Sequence, residues 1–182
     1  MPTSSCDEKL RELVLYISEL SEGDRPFGAV KLNKLLFYVD FNAYKHLGKP
    51  VTGQEYQKLE HGPCPRRMKP IMESMSSSGE IAIRKVEYYG HNQHRPFALR
   101  EPNLDIFTAR EIDLINRVVE HFRGINATEI SEKSHAFAGW LLAEEGETIP
   151  YDVALVGNQP PSTKALKKCK LSARLAEECL SE

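Results

Sequence analysis

Apolar residues recur along this chain at two spacings, and the helical one dominates. Leu10, Leu13, Val14, Ile17 and Leu20 follow the i, i+3, i+4, i+7 rule and predict an amphipathic helix over residues 8–20. Ser5 with Glu8 three residues later offers a capping box ahead of it, and Gly23 and Pro26 mark the loop that follows. A second helix is predicted over residues 29–47, closed by Gly48, a residue suited to the left-handed turn that ends helices. Placed every 100°, Leu32, Leu35, Leu36, Val39, Ala43 and Leu47 form a wide apolar arc, which Phe37, Phe41 and Tyr44 extend. The polar stripe of Lys31, Lys34, Asn42 and Lys45 is narrow, as expected of a central helix packed by several neighbours. Asn33 and Asp40 fall among the apolar positions.

Thr52 and Glu55 form another capping box, with Val51 and Tyr56 as its hydrophobic staple, and predict a short helix before His61-Gly62-Pro63. Residues 64–75 read as a helix with Met68, Ile71, Met72 and Met75 inward; Pro70 requires that it start near Lys69 or kink. After Gly79 the period changes to two. Residues 80–89 and 94–100 then predict a β-hairpin with its turn at 90–93. Thr108 with Glu111, stapled by Phe107 and Ile112, starts a helix with Ile112, Ile115, Val119 and Phe122 on one face and a stop at Gly124. Asn126 with Glu129, stapled by Ile125 and Ile130, starts another, carrying Ile130, Phe137 and Leu141 on one face and Trp140 near its end. Residues 146–156 have no regular pattern, Pro160-Pro161 lie in a linker, and residues 164–181 form a last, weakly amphipathic helix. The expected fold class is mainly α (α+β). A single compact helical domain over residues 1–156 carries one small antiparallel β-hairpin, loosely winged-helix-like in its order of elements. A linker and C-terminal helix occupy residues 157–182.

Composition narrows the function. The chain has 182 residues, enough for one domain with a real core, and 41% of them are hydrophobic. No run approaches the ~18 apolar residues of a membrane span, and residues 1–7 carry no apolar signal core, which predicts a cytoplasmic protein with no membrane partner. The formal charge of −2 lacks the basic excess of a general nucleic-acid binder. Cys6, Cys64, Cys169 and Cys179 are scattered, with no C-x-x-C pair, and read as free thiols.

Candidate chemistry is sparse. Arg66, Arg67 and Lys69 precede the hairpin, as a recognition helix precedes a wing; the acidic balance favours a solvated helix face, and DNA binding is kept as the alternative function. His61 with Cys64, and His91 with His94, have spacings that zinc could use, but neither pair is a specific motif, and no metal or other cofactor is expected. Cys64 near His61 lacks a third orienting residue, and Ser134 and His135 point about 100° apart on a helix, so neither pair defines a nucleophile and its base. Walker, G-x-G-x-x-G, H-E-x-x-H and G-x-S-x-G motifs are missing. No catalytic residue is assigned. Asp40, on an apolar face, needs hydrogen-bond donors or a cleft.

The run Lys31-Leu32-Asn33-Lys34-Leu35-Leu36-Phe37-Tyr38-Val39-Asp40 resembles the opening signature of the Panacea domain of SocA-like antitoxins. Val51-Thr52-Gly53, Tyr56 and His61-Gly62-Pro63 follow at that family's spacing, and Ala127 to Ile130, Ser134-His135, Trp140 and Ile149 resemble its closing segment. The resemblance covers residues 8–155; Cys64-Pro65 departs from it where the family commonly has an aliphatic residue after Gly-Pro. It implies a helical domain with a small β element, and an antitoxin that neutralises a protein toxin encoded next to it by direct binding, in some members as an adaptor to a cytoplasmic protease. Some members carry a fused DNA-binding domain, for which this chain looks too short. Of the signature residues, Lys31, Asn33, Lys34, Asp40, Gly62, Pro63, His135 and Trp140 are expected to be structural. Arg66, Arg67, Tyr88 and Tyr89 are the candidate partner-binding residues, being arginine and aromatic side chains of the types enriched at interface hot spots. The C-terminal helix from Lys164 is a second candidate surface.

Overall fold

Helix α2 (Ala29–Leu47) is the axis of the structure, and its wide apolar arc explains why. Leu32, Leu35, Leu36, Phe37, Val39 and Ala43 are all fully buried, because neighbours cover nearly the whole circumference. The computed structural model describes residues 5–155. In chain order these form α1 (Ser5–Leu20), α2, the short strands β1 (Tyr56–Gln57) and β2 (Cys64–Pro65), α3 (Met68–Ser77), the hairpin β3 (Ile81–Tyr88) and β4 (His91–Ala98), α4 (Ala109–His121), α5 (Ala127–His135), α6 (Ala138–Leu142) and β5 (Thr148–Ile149). Leu104–Ile106 and Tyr151–Leu155 are 3₁₀ turns. The expected class stands: helices dominate, with small antiparallel sheets. The linker and helix expected over residues 157–182 lie outside the described residues. No helix among the described residues is long and apolar enough to cross a membrane.

Local grammar accounts for most element ends. Gly48 closes α2 in the left-handed region at φ 77°, its N–H donating to the Tyr44 carbonyl. Reciprocal capping boxes start α4 at Thr108 and α5 at Asn126. On α4, Leu114 and Val118 join Ile115, Val119 and Phe122 in the core, while Ile112 is only partly covered. Pro70 sits in the first turn of α3, where its missing N–H has no helical partner to lose.

The structure departs from the sequence pattern in five places. Ser5 lies inside α1 rather than capping it. No helix follows Thr52: its N–H and hydroxyl both donate to Asp40, and Tyr56–Gln57 instead forms the middle strand of a three-stranded sheet in the order β2-β1-β5. Cys64–Pro65 therefore belongs to strand β2, and α3 starts only at Met68. The hairpin turn is two residues long, Tyr89 (φ 48°) and Gly90 (φ 77°), which matches the type I′ geometry of tight hairpins. His91 consequently lies on β4, opposite Tyr88, and not in the turn, while His94 stands farther along the strand opposite Lys85. Finally, the helix expected from residue 127 through Trp140 breaks at Phe137, whose extended backbone (ψ 130°) turns its ring edge-on against Phe37 at 5.1 Å and Phe41 at 5.4 Å. Packing aromatic rings edge to face outweighs continuing one helix. Gly139 then seats α6 against the end of the chain's described part: a Cβ there would lie 2.6 Å from Val153 Cγ2.

Two apolar clusters result. The larger joins α1, α2, α3, α4 and the base of β3. The smaller is aromatic, with Phe37, Phe41 and Tyr56 buried together with Ile149 and Ala154 and flanked by Phe137 and Tyr151.

Candidate functional site

The signature residues of α2 do not form one site; they anchor three different loops to one helix. Lys31 is completely buried and donates 2.6 Å hydrogen bonds to Asp24 Oδ2 and to the Ile125 carbonyl. Asp24 in turn accepts from the Gly124 N–H at 2.9 Å, so a single ion pair ties the loop after α1 to the loop between α4 and α5. Burial lowers the Lys31 ammonium below its ordinary pKa, and the Asp24 carboxylate pulls it back up. A buried charge needs such partners, since an unpaired one costs several kcal/mol.

Asp40 serves the second loop. Its carboxylate accepts from the Thr52 N–H at 2.7 Å, from the Thr52 hydroxyl and from the Tyr56 hydroxyl at 2.8 Å. Burial raises its pKa, and these donors hold the rise back.

Lys34 reaches the third loop. It is only 2% exposed, and its Nζ makes one hydrogen bond, 3.3 Å to the Pro63 carbonyl. Gly62 lets that approach happen: its φ is 101°, and a Cβ there would lie 2.6 Å from Lys34 Cε and 2.7 Å from Ser134 Oγ. Burial lowers Lys34 to about 8 and pushes the neighbouring Cys64 thiol up to about 11. Beyond this loop, Trp140 has three close partners. His135 stacks on its ring at 4.0 Å, Lys58 Nζ stands 4.1 Å from the ring centroid, and the indole N–H donates to the Leu59 carbonyl at 3.3 Å. Burial lowers the His135 pKa, with help from Lys34 and Lys58, and its Nε2 has no hydrogen-bond partner. Asn33 Oδ1 is likewise buried and unpartnered.

The four candidate contact residues fall into two groups. Arg66 bonds Gln57, Thr148 and the Gly146 carbonyl and pairs with Glu55, so it braces the three-stranded sheet. Arg67 pairs with Asp7 in the first turn of α1 at 2.9 Å. Tyr88 and Tyr89 stand at the hairpin tip with their rings edge to face at 4.7 Å, Tyr89 being 84% exposed. They line a small cleft with Arg25, beyond the other end of α1. A 16-residue helix rises about 24 Å, which separates the arginines from the tyrosines.

Two features escaped the sequence pattern. Arg95 is buried against the C-terminal end of α1, donating to the carbonyls of Ser21 (3.0 Å), Glu22 (2.6 Å) and Asp24 (2.9 Å). It gathers the carbonyls of the turn that follows α1 from a residue more than seventy positions away, which no local pattern reveals. The second is an apolar groove of about 680 Å³ between α2 and α4, floored by Tyr38, Leu114, Val118 and Phe122 and edged by Arg110 and Arg117. Among the described residues no three His, Cys, Asp or Glu side chains converge as metal ligands. His61 and Cys64 border a cavity beside Lys34, whereas His91 and His94 lie on β4.

The family model described as "Antitoxin SocA-like, Panacea domain" matches residues 32–141, from the buried face of α2 through α6. No curated protein and no solved structure matches the chain. The matched span contains Asp40 and its donors, Lys34 with the Gly62-Pro63 loop, and the His135–Trp140 stack, so the chain belongs to the SocA-like antitoxin family as a Panacea-domain protein.

Proposed function

We propose that this protein is the antitoxin of a toxin–antitoxin module and neutralises a protein toxin, encoded beside it, by direct binding in the cytoplasm. Membership in the antitoxin family carries the antitoxin role. The hairpin tip carries the binding: Tyr89 is 84% exposed on a tight turn, packed edge-on against Tyr88, and Ile83 on the same strand pair is 43% exposed. Exposed tyrosines held rigidly provide contact area at little conformational cost, the property that makes them interface anchors. Arg67, which keeps an exposed guanidinium while bridging Asp7, and Arg66 beside it are proposed as a separate, weaker contact. A standard interface needs about 800 Å² per partner, which a domain of this size offers. The role is one of occupancy and requires no cofactor. Delivery of the bound toxin to a protease is a further step that the same surface would permit.

The test is binding of the purified toxin to the parent and to a Tyr88→Ala, Tyr89→Ala double variant whose melting temperature is unchanged. Loss of about 2 kcal/mol of affinity, roughly thirtyfold, is expected for hot-spot tyrosines. Unchanged affinity in that variant, with a loss in Arg117→Glu at the rim of the α2–α4 groove, would move the interface to the groove. The alternative of DNA binding is disfavoured by the formal charge of −2, which lacks the basic excess of a nucleic-acid binder.

A further inference from the structure

Strand β3 has a strand neighbour on one side only, because its sheet consists of β3 and β4 alone. β4 packs against α1 and the turn after it, which leaves β3 as the outer strand. In an antiparallel pair, successive residues alternate between bonding the partner and turning their backbone groups away from it. Two observations fix the alternation here. The Leu99 N–H donates to the Glu80 carbonyl at 2.9 Å, so Glu80 and Leu99 form a hydrogen-bonded pair in the register of the hairpin. Ile83 stands opposite Pro96, which has no N–H to give, so that pair is of the other kind. Ile83, Lys85 and Glu87 therefore turn their N–H and C=O groups to the free edge. Among the described residues no hydrogen bond reaches those groups. Residues 83–88 are all exposed or half-buried, so nothing described covers this edge. An open edge of this length is a template for another strand, and charged side chains are the usual block against one.

Arg84, Lys85 and Glu87 carry that charge, and whether they block depends on what stands opposite them. A second copy would pair with β3 antiparallel about a two-fold axis, with one residue opposite itself on the axis. Centring the pair on Arg84, Lys85 or Glu87 sets like charges face to face, which is destabilising. Centring it on Ile83 carries Lys85 down to buried Ile81 and leaves Glu87 unused, and centring it beyond Glu87 runs into the turn at Tyr89. With Val86 on the axis every pair is complementary: Lys85 faces Glu87, Arg84 faces Tyr88, and symmetry repeats both. Lys85 and Glu87 also bear the outward backbone groups, so each of their pairs exchanges both of its backbone hydrogen bonds. We infer that two copies of this chain pair antiparallel through β3 in this register, making one sheet in the order β4-β3-β3-β4. The paired stretch is short, so the dimer is weak and half-formed at on the order of 100 µM. Tyr88 also belongs to the surface proposed for the toxin, but the pairing needs no toxin and is tested on the protein alone.

The experiment is sedimentation of the full chain over a concentration series reaching about 1 mM, with amide exchange measured at both ends of the series. A monomer–dimer equilibrium is expected, and exchange at the Lys85 and Glu87 amides should slow as the concentration rises. Lys85→Glu sets a carboxylate opposite Glu87, and Glu87→Lys sets an ammonium opposite Lys85, so each alone should weaken the dimer about tenfold. Both side chains are exposed, so neither exchange disturbs the core. An equal mixture of the two variants restores opposite charges in every pair and should associate about as tightly as the parent, and so should the double exchange within one chain. A parent that stays monomeric at about 1 mM, a dimer indifferent to both single exchanges, or a mixture no tighter than its components overturns the inference. Protection of the Lys85 and Glu87 amides that appears only when the toxin is added also overturns it, and assigns the edge to a strand of that partner. Loss of the self-pairing leaves toxin binding untouched as a reading.

Discussion

Tyr56 donates a 2.8 Å hydrogen bond to Asp40, and both side chains are completely buried. The pair joins the middle of α2 to the central strand of the three-stranded sheet, and Thr52 donates to the same carboxylate through its N–H and its hydroxyl. Hydrogen bonds to a buried charge are worth about 1.5–3 kcal/mol, so Tyr56→Phe should lower stability by that amount at pH 7. Asp40→Ala leaves the Thr52 and Tyr56 donors without their acceptor and should cost more, on the order of 3 kcal/mol or above. Burial raises the Asp40 pKa in the fold above its unfolded value. The native state therefore takes up this proton first on acidification, and the stability linked to the group falls as pH rises through the raised value. In acid, where Asp40 is neutral, the Tyr56→Phe penalty should shrink, because the lost bond is then uncharged. Urea unfolding of parent and variant across pH 3–7, on the order of the carboxylate range, checks both the size and the trend.

Lys34 gives the opposite kind of prediction. Its pKa falls from 10.5 to about 8, chiefly through burial, so the unfolded chain binds this proton more tightly than the folded one between those values. Charged Lys34 thus burdens the fold below pH 8, and the burden fades as pH rises toward 10.5. Lys34→Met should stabilise the protein at pH 7 by on the order of 3 kcal/mol, with the gain vanishing near the upper limit. Comparing variant with parent separates this effect from Cys64, whose thiol is pushed up to about 11. Denaturant midpoints at neutral and alkaline pH decide it; a less stable variant would show that the ammonium is paired in solution.

Arg95 fastens the hairpin to the turn after α1 through the backbone carbonyls of Ser21, Glu22, Asp24 and Arg25. Arg95→Met removes a charged donor from all of them and leaves the Glu22 carbonyl without its side-chain partner, and should cost roughly 1.5–3 kcal/mol. Amide exchange should quicken over β4 and residues 21–25 before it quickens in α2. Toxin affinity should drop with it, since Tyr88 and Tyr89 lose their rigid mount. Uniform acceleration across the whole chain would instead make Arg95 part of the global core.

What the sequence discloses here depends on how far each residue's partner lies along the chain. The capping boxes at Thr108 and Asn126 are legible because donor and acceptor are three residues apart. Thr52 and Glu55 show the same spelling and mislead, because Thr52 is held by Asp40, twelve residues back. The wide apolar arc of α2 announces a central helix, but the strands of the β2-β1-β5 sheet are two residues each, too short for any alternation to register. The break at Phe137 follows from aromatic packing against α2, a contact a hundred residues distant. At the candidate site, the pattern singles out Asn33 and Asp40 as polar residues on an apolar face; their surroundings come from tertiary structure alone. Arg95 gives no local signal.

The central claim is neutralisation of a toxin by direct binding, and the most direct measurement is growth of a host expressing the neighbouring reading frame with and without this protein, followed by co-purification. Arrest by the neighbour alone, rescue on co-expression and a stoichiometric complex that Tyr88→Ala with Tyr89→Ala disrupts are the expected results. A neighbour without effect on growth, or rescue with no complex between the two proteins, would contradict the account.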